Sequence, residues 1–281
     1  MAHLTAQPGV PAPAQRVRAV PAARRRSGLP GTLRSEFTKI RSVRSTWIAL
    51  TAFFVAGLAF AIVAAAGNRS NAGQASFDPT ATSLEGAASF GELIIVVIGA
   101  LVITSEFGTR MMGTSLAAMP RRGVLYAAKA IAVTCVTLVV ALVTSFASFF
   151  AGQAVLASTH AGASITSPGA LRAVLLTALF VACCALLAFG LGAVIRHTAG
   201  AITGLFGLVF VIPVVATALP DSVRNDVVRL LPGDSALYPI VATKPAGTAY
   251  LFGPYGQLAV FAGYAAIAVV AGALVFLRRD A

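Results

Sequence analysis

The sequence predicts an all-α membrane protein with six transmembrane helices, an N-terminal amphipathic in-plane helix, and both termini in the cytoplasm. Three observations carry this. The apolar residues fall into six long blocks. Charge is scarce: 11% of residues are charged, 58% are hydrophobic and the mean hydropathy is +0.86, whereas a soluble domain carries roughly 25% charged residues. The basic residues, which give a net charge of +12, gather on one side of the blocks.

The blocks cover about 47–66, 88–104, 127–157, 171–195, 199–219 and 257–277. A span needs about 20 residues, with a range of about 17–25. The second block is short and holds Glu92. The third is longer than needed, so one end should protrude or tilt. Pro213 should kink the fifth. Gly200 and Gly204 open that block as a G-x-x-x-G pair, read here as internal helix packing. The first block follows 46 residues and exceeds the apolar core of a signal peptide, so it is read as a retained span.

Orientation follows from the cations. Sixteen of the 21 Lys and Arg flank the ends that share a side with the two termini, and five lie opposite. Basic residues stay cytoplasmic, so both termini are cytoplasmic and the number of spans is even. Arginine outnumbers lysine 18 to 3, a bias of GC-rich bacterial coding, which points to a bacterial cytoplasmic membrane.

Residues 1–30 read as a disordered basic tail, and 31–279 as the membrane domain. Just before the first span, Leu33, Phe37, Ile40 and Trp47 recur at helical spacing among Arg34, Lys39, Arg41 and Arg44. A basic amphipathic helix ending in Trp suits the headgroup layer, its apolar stripe in lipid and its cations on phosphate; Phe37, Lys39, Arg41, Arg44 and Trp47 mark this membrane-interface helix. The alternative is a plain extension of the first span. The longest outer loop, 220–256, should carry a short helix from Asp221 to about residue 231, or remain solvated.

Catalytic chemistry finds no residues to carry it. His3, His160 and His197 are scattered over the tail, an outer loop and a cytoplasmic turn, so they form no metal site. Cys135, Cys183 and Cys184 sit in apolar blocks without metal-ligand spacing. No nucleophile elbow or zinc motif occurs. None of Lys39, Lys129 and Lys244 follows glycine, so the chain has no phosphate loop. The basic residues flank spans instead of patching a polar domain, which excludes nucleic acid. Glu92 is the one acid inside a block. It reads either as an interfacial residue with its carboxylate in water or as a gate or substrate contact.

The loop from 104 to 130 is the most informative. Glu106 stands at the membrane exit, followed by Phe107, Gly108, Thr109 and Arg110. Met111, Met112, Ser115, Leu116 and Met119 form a short amphipathic helix that Pro120 ends; Arg121, Arg122, Gly123 and Lys129 follow. Such a helix can seat in a partner's groove or rest on lipid. Glu106, Gly108, Thr109, Leu116, Pro120, Arg121 and Lys129, in that order after the second span, resemble the ABC-2 type transporter permeases. The entry to the first span, Glu36 to Trp47, is also similar to that of many bacterial members. The resemblance covers about 32–279.

That resemblance implies the permease subunit of an ATP-driven transporter, an exporter working by alternating access. It implies two six-span chains, identical or different, and separate ATPase subunits that hold ATP and magnesium; this chain would bind neither and would be no enzyme. Glu106, Gly108, Thr109, Arg110, Pro120 and Arg121 would lie at the ATPase contact. The helix before the first span would connect to it, amid membrane lipids. The alternative is a non-transporting membrane anchor or sensor that recruits a cytoplasmic partner.

Overall fold

Long charge-free stretches of Ala, Val, Leu and Phe can satisfy their backbone in lipid only as helices, and helices are what form. The computed structural model describes residues 28–278, apart from 75, 110, 119–120, 217, 232–239 and 243–251. The tail up to residue 27, and with it Arg110, Pro120 and Lys244, lies outside the described residues. Among those residues there are nine helices of a turn and a half or more and no strand: α1 (Leu29–Ser42), α2 (Arg44–Gly67), α3 (Pro79–Gly108), α4 (Met111–Ala118), α5 (Arg122–Leu156), α6 (Ala170–Ile195), α7 (Thr198–Ala216), α8 (Asp221–Val228) and α9 (Pro254–Arg278). Six of them, α2, α3, α5, α6, α7 and α9, are long and apolar enough to cross a membrane.

Helices α3 and α6 are the buried centre, and α2, α5, α7 and α9 surround them. Small residues set the central approach. A Cβ on Gly99 of α3 would run into the carbonyl of Ala185 on α6, and one on Gly190 into the backbone of Ala268 on α9. Large apolar residues face outward on the surrounding helices, among them Ile48, Val139, Val214 and Ile267, as lipid allows.

The spans match the six apolar blocks, with one correction. The second was expected to begin near residue 88, with Glu92 near its outer end. The helix instead begins at Pro79, so Glu92 lies near its middle, 2% exposed, within hydrogen-bonding reach of the Cys184 thiol. An interfacial carboxylate in water is ruled out there. The early start has a local cause: the Asp78 carboxylate accepts from the Thr80 and Ala81 amides, and Pro79 occupies the first helical position. Residues 86–90 then make a π turn.

Helix α5 is 35 residues long, about 52 Å at 1.5 Å per residue, well beyond a hydrocarbon core of about 30 Å. Pro213 lies two residues past the end of a second π turn, Gly207–Val211; proline supplies no amide to the preceding turn, which widens. A Cβ on Gly200 would press on Ile195 at the end of α6, whereas Gly204 is exposed.

The end of the bundle away from α1 is tied by polar contacts. Gln153 donates to the Pro79 carbonyl and the Ser83 hydroxyl, and accepts from the Ala163 amide. Arg172 donates to the carbonyls of Val241 and Ala242, and the Asp78 carboxylate accepts from the Ala242 amide. Residues 240–242 are thereby held over the ends of α3 and α6.

Candidate functional site

The loop after the second span and the helix before the first span meet at one buried cluster. Pro30 starts α1 in a favourable first turn. Extended Val43 ends it and turns the chain into α2. The Trp47 indole donates to the Arg41 carbonyl at 2.9 Å, which closes that corner. Thr32 and Glu36, one turn apart, are the buried residues of α1. The helix therefore docks by its polar face, while Phe37, Arg41, Arg44 and Trp47 are exposed. The expected stripe of Leu33, Phe37 and Ile40 lies beside the docked face and stays partly uncovered.

Four charged side chains from three helices converge below α1. The Lys129 ammonium, 1% exposed, donates to Glu36 Oε2 at 2.9 Å and to Glu106 Oε1 at 2.5 Å. The Lys39 ammonium donates to Glu36 Oε1 and Glu106 Oε1, both at 3.0 Å, and to the Ser115 hydroxyl at 3.3 Å. Two carboxylates and two ammoniums sum to no net charge, which is what allows burial here. Burial alone would depress Lys39; its hydrogen bonds and charge contacts with Glu36 and Glu106 outweigh that and hold its pKa above the usual value. The ammonium form is thus secure at neutral pH.

An aromatic layer lies against this cluster. Tyr126 of α5 contacts Phe189 of α6 and Phe276 of α9 at ring distances of 5.1 and 5.5 Å, and its hydroxyl donates to the Val269 carbonyl. Phe107 meets Phe276 edge-on, and the Arg196 guanidinium sits 4.9 Å over the Phe107 ring. Met112 and Leu116 of α4 pack into the same layer, whereas Met111 faces outward. Helix α4 therefore hangs from a platform to which α1, α3, α5, α6 and α9 all contribute.

The expected contact residues divide accordingly. Gly108, Thr109 and Arg121 are exposed at the margin of α4. Glu106 is 8% exposed and spends one oxygen on two ammoniums. Arg110 and Pro120 lie outside the described residues. Glu92 belongs to a separate mid-helix position. Sequence reasoning missed the roles of Glu36 and Lys129, although a signal existed: Glu36 is the one acid before residue 78, and Lys129 the one lysine inside an apolar block.

Residues 32–217 match the model of a family described as ABC-2 family transporter protein. No curated protein gives a significant match. The matched segment contains the whole cluster, both elements that flank it, and five of the six spans.

Proposed function

The chain belongs to the ABC-2 transporter family, and on that footing we propose that it is the permease subunit of an ATP-driven exporter in a bacterial cytoplasmic membrane. Its partners are a second permease chain and ATPase subunits that carry ATP and magnesium. The observation that carries this reading is the cluster of Glu36, Lys39, Glu106 and Lys129. It joins the exposed loop around α4 to the spans by charge-assisted bonds. A push on α4 then reaches α1, α3 and α5 together, because a buried network moves as a unit or breaks.

In this mechanism the ATPase docks on the exposed margin of α4: Gly108, Thr109 and Arg121, with Arg110 and Pro120 in the same stretch of chain. Closing of the ATPase pair tilts α3 and α5, and the central contact of α3 with α6 passes the motion to the opposite end. Alternating access is the outcome. Helix α1 lies in the inner headgroup layer, with Arg41 and Arg44 on lipid phosphate. Glu92, buried near Cys184 of α6, is in this reading a gate or a substrate contact.

Purification of the chain with its ATPase subunits, followed by reconstitution in vesicles, tests this. Arg121→Glu should weaken ATPase retention and leave the chain folded. Lys129→Met should retain ATPase binding better than Arg121→Glu, yet uncouple ATP hydrolysis from transport. An ATPase that binds wild type and both variants alike would contradict the docking assignment. A chain that recruits a partner but moves nothing across the membrane under ATP would instead be an anchor or sensor.

A further inference from the structure

A cavity of about 320 Å³ opens between α1, the start of α2 and the end of α3. That volume is at the low end for ligand pockets. Its walls change character along their length. Lys39, Ser105 and Glu106 line one end; Ala49, Ile98 and Leu101 line the other. From Ile98 to Glu106 the helix rises about 12 Å. The polar end lies beside α1 and the apolar end lies deeper along the spans, which is the polarity of one leaflet of a bilayer. Leu101 is 37% exposed, so the deep end opens on the surface of the bundle.

The polar end holds an unmet acceptor. Glu106 Oε2 is buried and has no hydrogen-bond partner among the described residues, while its other oxygen accepts from two lysines. All three donors of the Lys39 ammonium are already used, and Lys129 directs two of its own to Glu36 Oε2 and Glu106 Oε1, so none of these bonds reaches Glu106 Oε2. A buried carboxylate oxygen calls for a donor. Arg41 and Arg44, both exposed, flank the lining residues Ser42 and Val43 at the α1–α2 corner and supply cations for a phosphate.

We infer that this cavity holds a membrane phospholipid with a primary-ammonium headgroup: ammonium on Glu106 Oε2, phosphate toward Arg41 and Arg44, and the upper part of one acyl chain against Ala49, Ile98 and Leu101. The inference uses the permease reading only to place this end at the inner leaflet. A choline headgroup has no N–H to donate, so it should be discriminated against by about tenfold, the worth of one charge-assisted hydrogen bond.

The full-length chain is placed in nanodiscs of phosphatidylethanolamine and phosphatidylcholine with matched acyl chains, extracted into mild detergent without ATP, and its retained lipid counted by native mass spectrometry. One phosphatidylethanolamine per chain should persist, at about tenfold preference over the choline lipid. Ala49→Phe fills the apolar end without touching the charged cluster and should abolish retention. Glu106→Gln should erase the headgroup preference. Val143→Phe, in a mainly apolar groove between α2 and α5, should change neither. Equal retention of both lipids, or a phosphatidylethanolamine count unaltered by Ala49→Phe, would overturn the inference. Because no ATPase takes part, that result would leave the permease assignment standing; a lipid-selective chain that recruits no ATPase would do the reverse.

Discussion

Replacing Lys129 by Met removes one ammonium from a site with almost no access to water. The side chains of Lys129 and Glu36 are 1% and 3% exposed, so Glu36 Oε2 would lose its only cation and keep its charge. Breaking a buried pair from one side costs about 3–5 kcal/mol. Lys39 still reaches Glu36 Oε1 and Glu106 Oε1, both at 3.0 Å, which places the cost near the lower bound, about 3 kcal/mol. Lys39→Met is the internal standard. Its side chain is 40% exposed, and an exposed pair is worth about 0–1 kcal/mol. The two variants should therefore differ by at least about 2 kcal/mol, or roughly 30-fold in the equilibrium for release of α1. Trp47 is the one tryptophan of the chain and closes the α1–α2 corner, so its emission during denaturant titration in micelles reports that release. Adding Glu36→Gln to Lys129→Met should recover part of the loss by removing the uncompensated charge. Equal stability of the two lysine variants would refute the claim that the cluster is a buried, charge-balanced anchor.

Other expectations follow from the same packing. Gly99→Ala should destabilise the bundle by about 1–3 kcal/mol or more in thermal unfolding, since the new methyl meets backbone of α6 that cannot yield. Tyr126→Phe should cost about 0.5–1.5 kcal/mol in the same assay, the worth of its bond to the Val269 carbonyl. Asp78→Ala removes both a helix cap and the acceptor of the Ala242 amide; the cap alone is worth about 0.5–2 kcal/mol, and hydrogen exchange at Ala242 should accelerate. The pKa of Lys39 is raised in the folded chain, so its contribution is complete below the ordinary value of 10.5 and is lost as pH rises through the higher folded value. Trp47-detected stability should hold level from neutral pH to about 10 and fall above it in wild type more than in Lys39→Met.

The spans were legible because a run of some 20 apolar residues admits few structures besides a membrane helix. The start of α3 was not, because residues 79–90 are small and polar: Thr80, Ser83, Gly86. They look like a loop by hydropathy. In the bundle those small groups are what lets α3 approach its neighbours, as where Gly86 meets Phe60 and Gly152 meets Ser83. The start is set instead by the Asp78 cap and Pro79 in the first turn. The loop after α3 was recognised as important, but the partners of Glu106 could not be read from spacing. Lys129 is 23 residues away and Glu36 is 93 residues from Lys129; only folding brings them together. Counting Lys129 with the orientation charges hid its burial. Helix α1 was expected from its apolar stripe, yet it docks through Thr32 and Glu36, because a buried salt-bridge partner outweighs a few uncovered methyls on a helix that lipid can also cover.

Site-directed photocrosslinking in living cells addresses the permease assignment most directly. A benzoylphenylalanine at position 121, at the exposed margin of α4, is compared with one at exposed position 158 at the other end of the bundle. The account predicts a covalent adduct at 121, shown by mass spectrometry to contain a chain with a Gly-Lys-Ser/Thr phosphate loop, and no such adduct at 158. An ATPase adduct at 158, or none at 121 while the complex still transports under ATP, would contradict it.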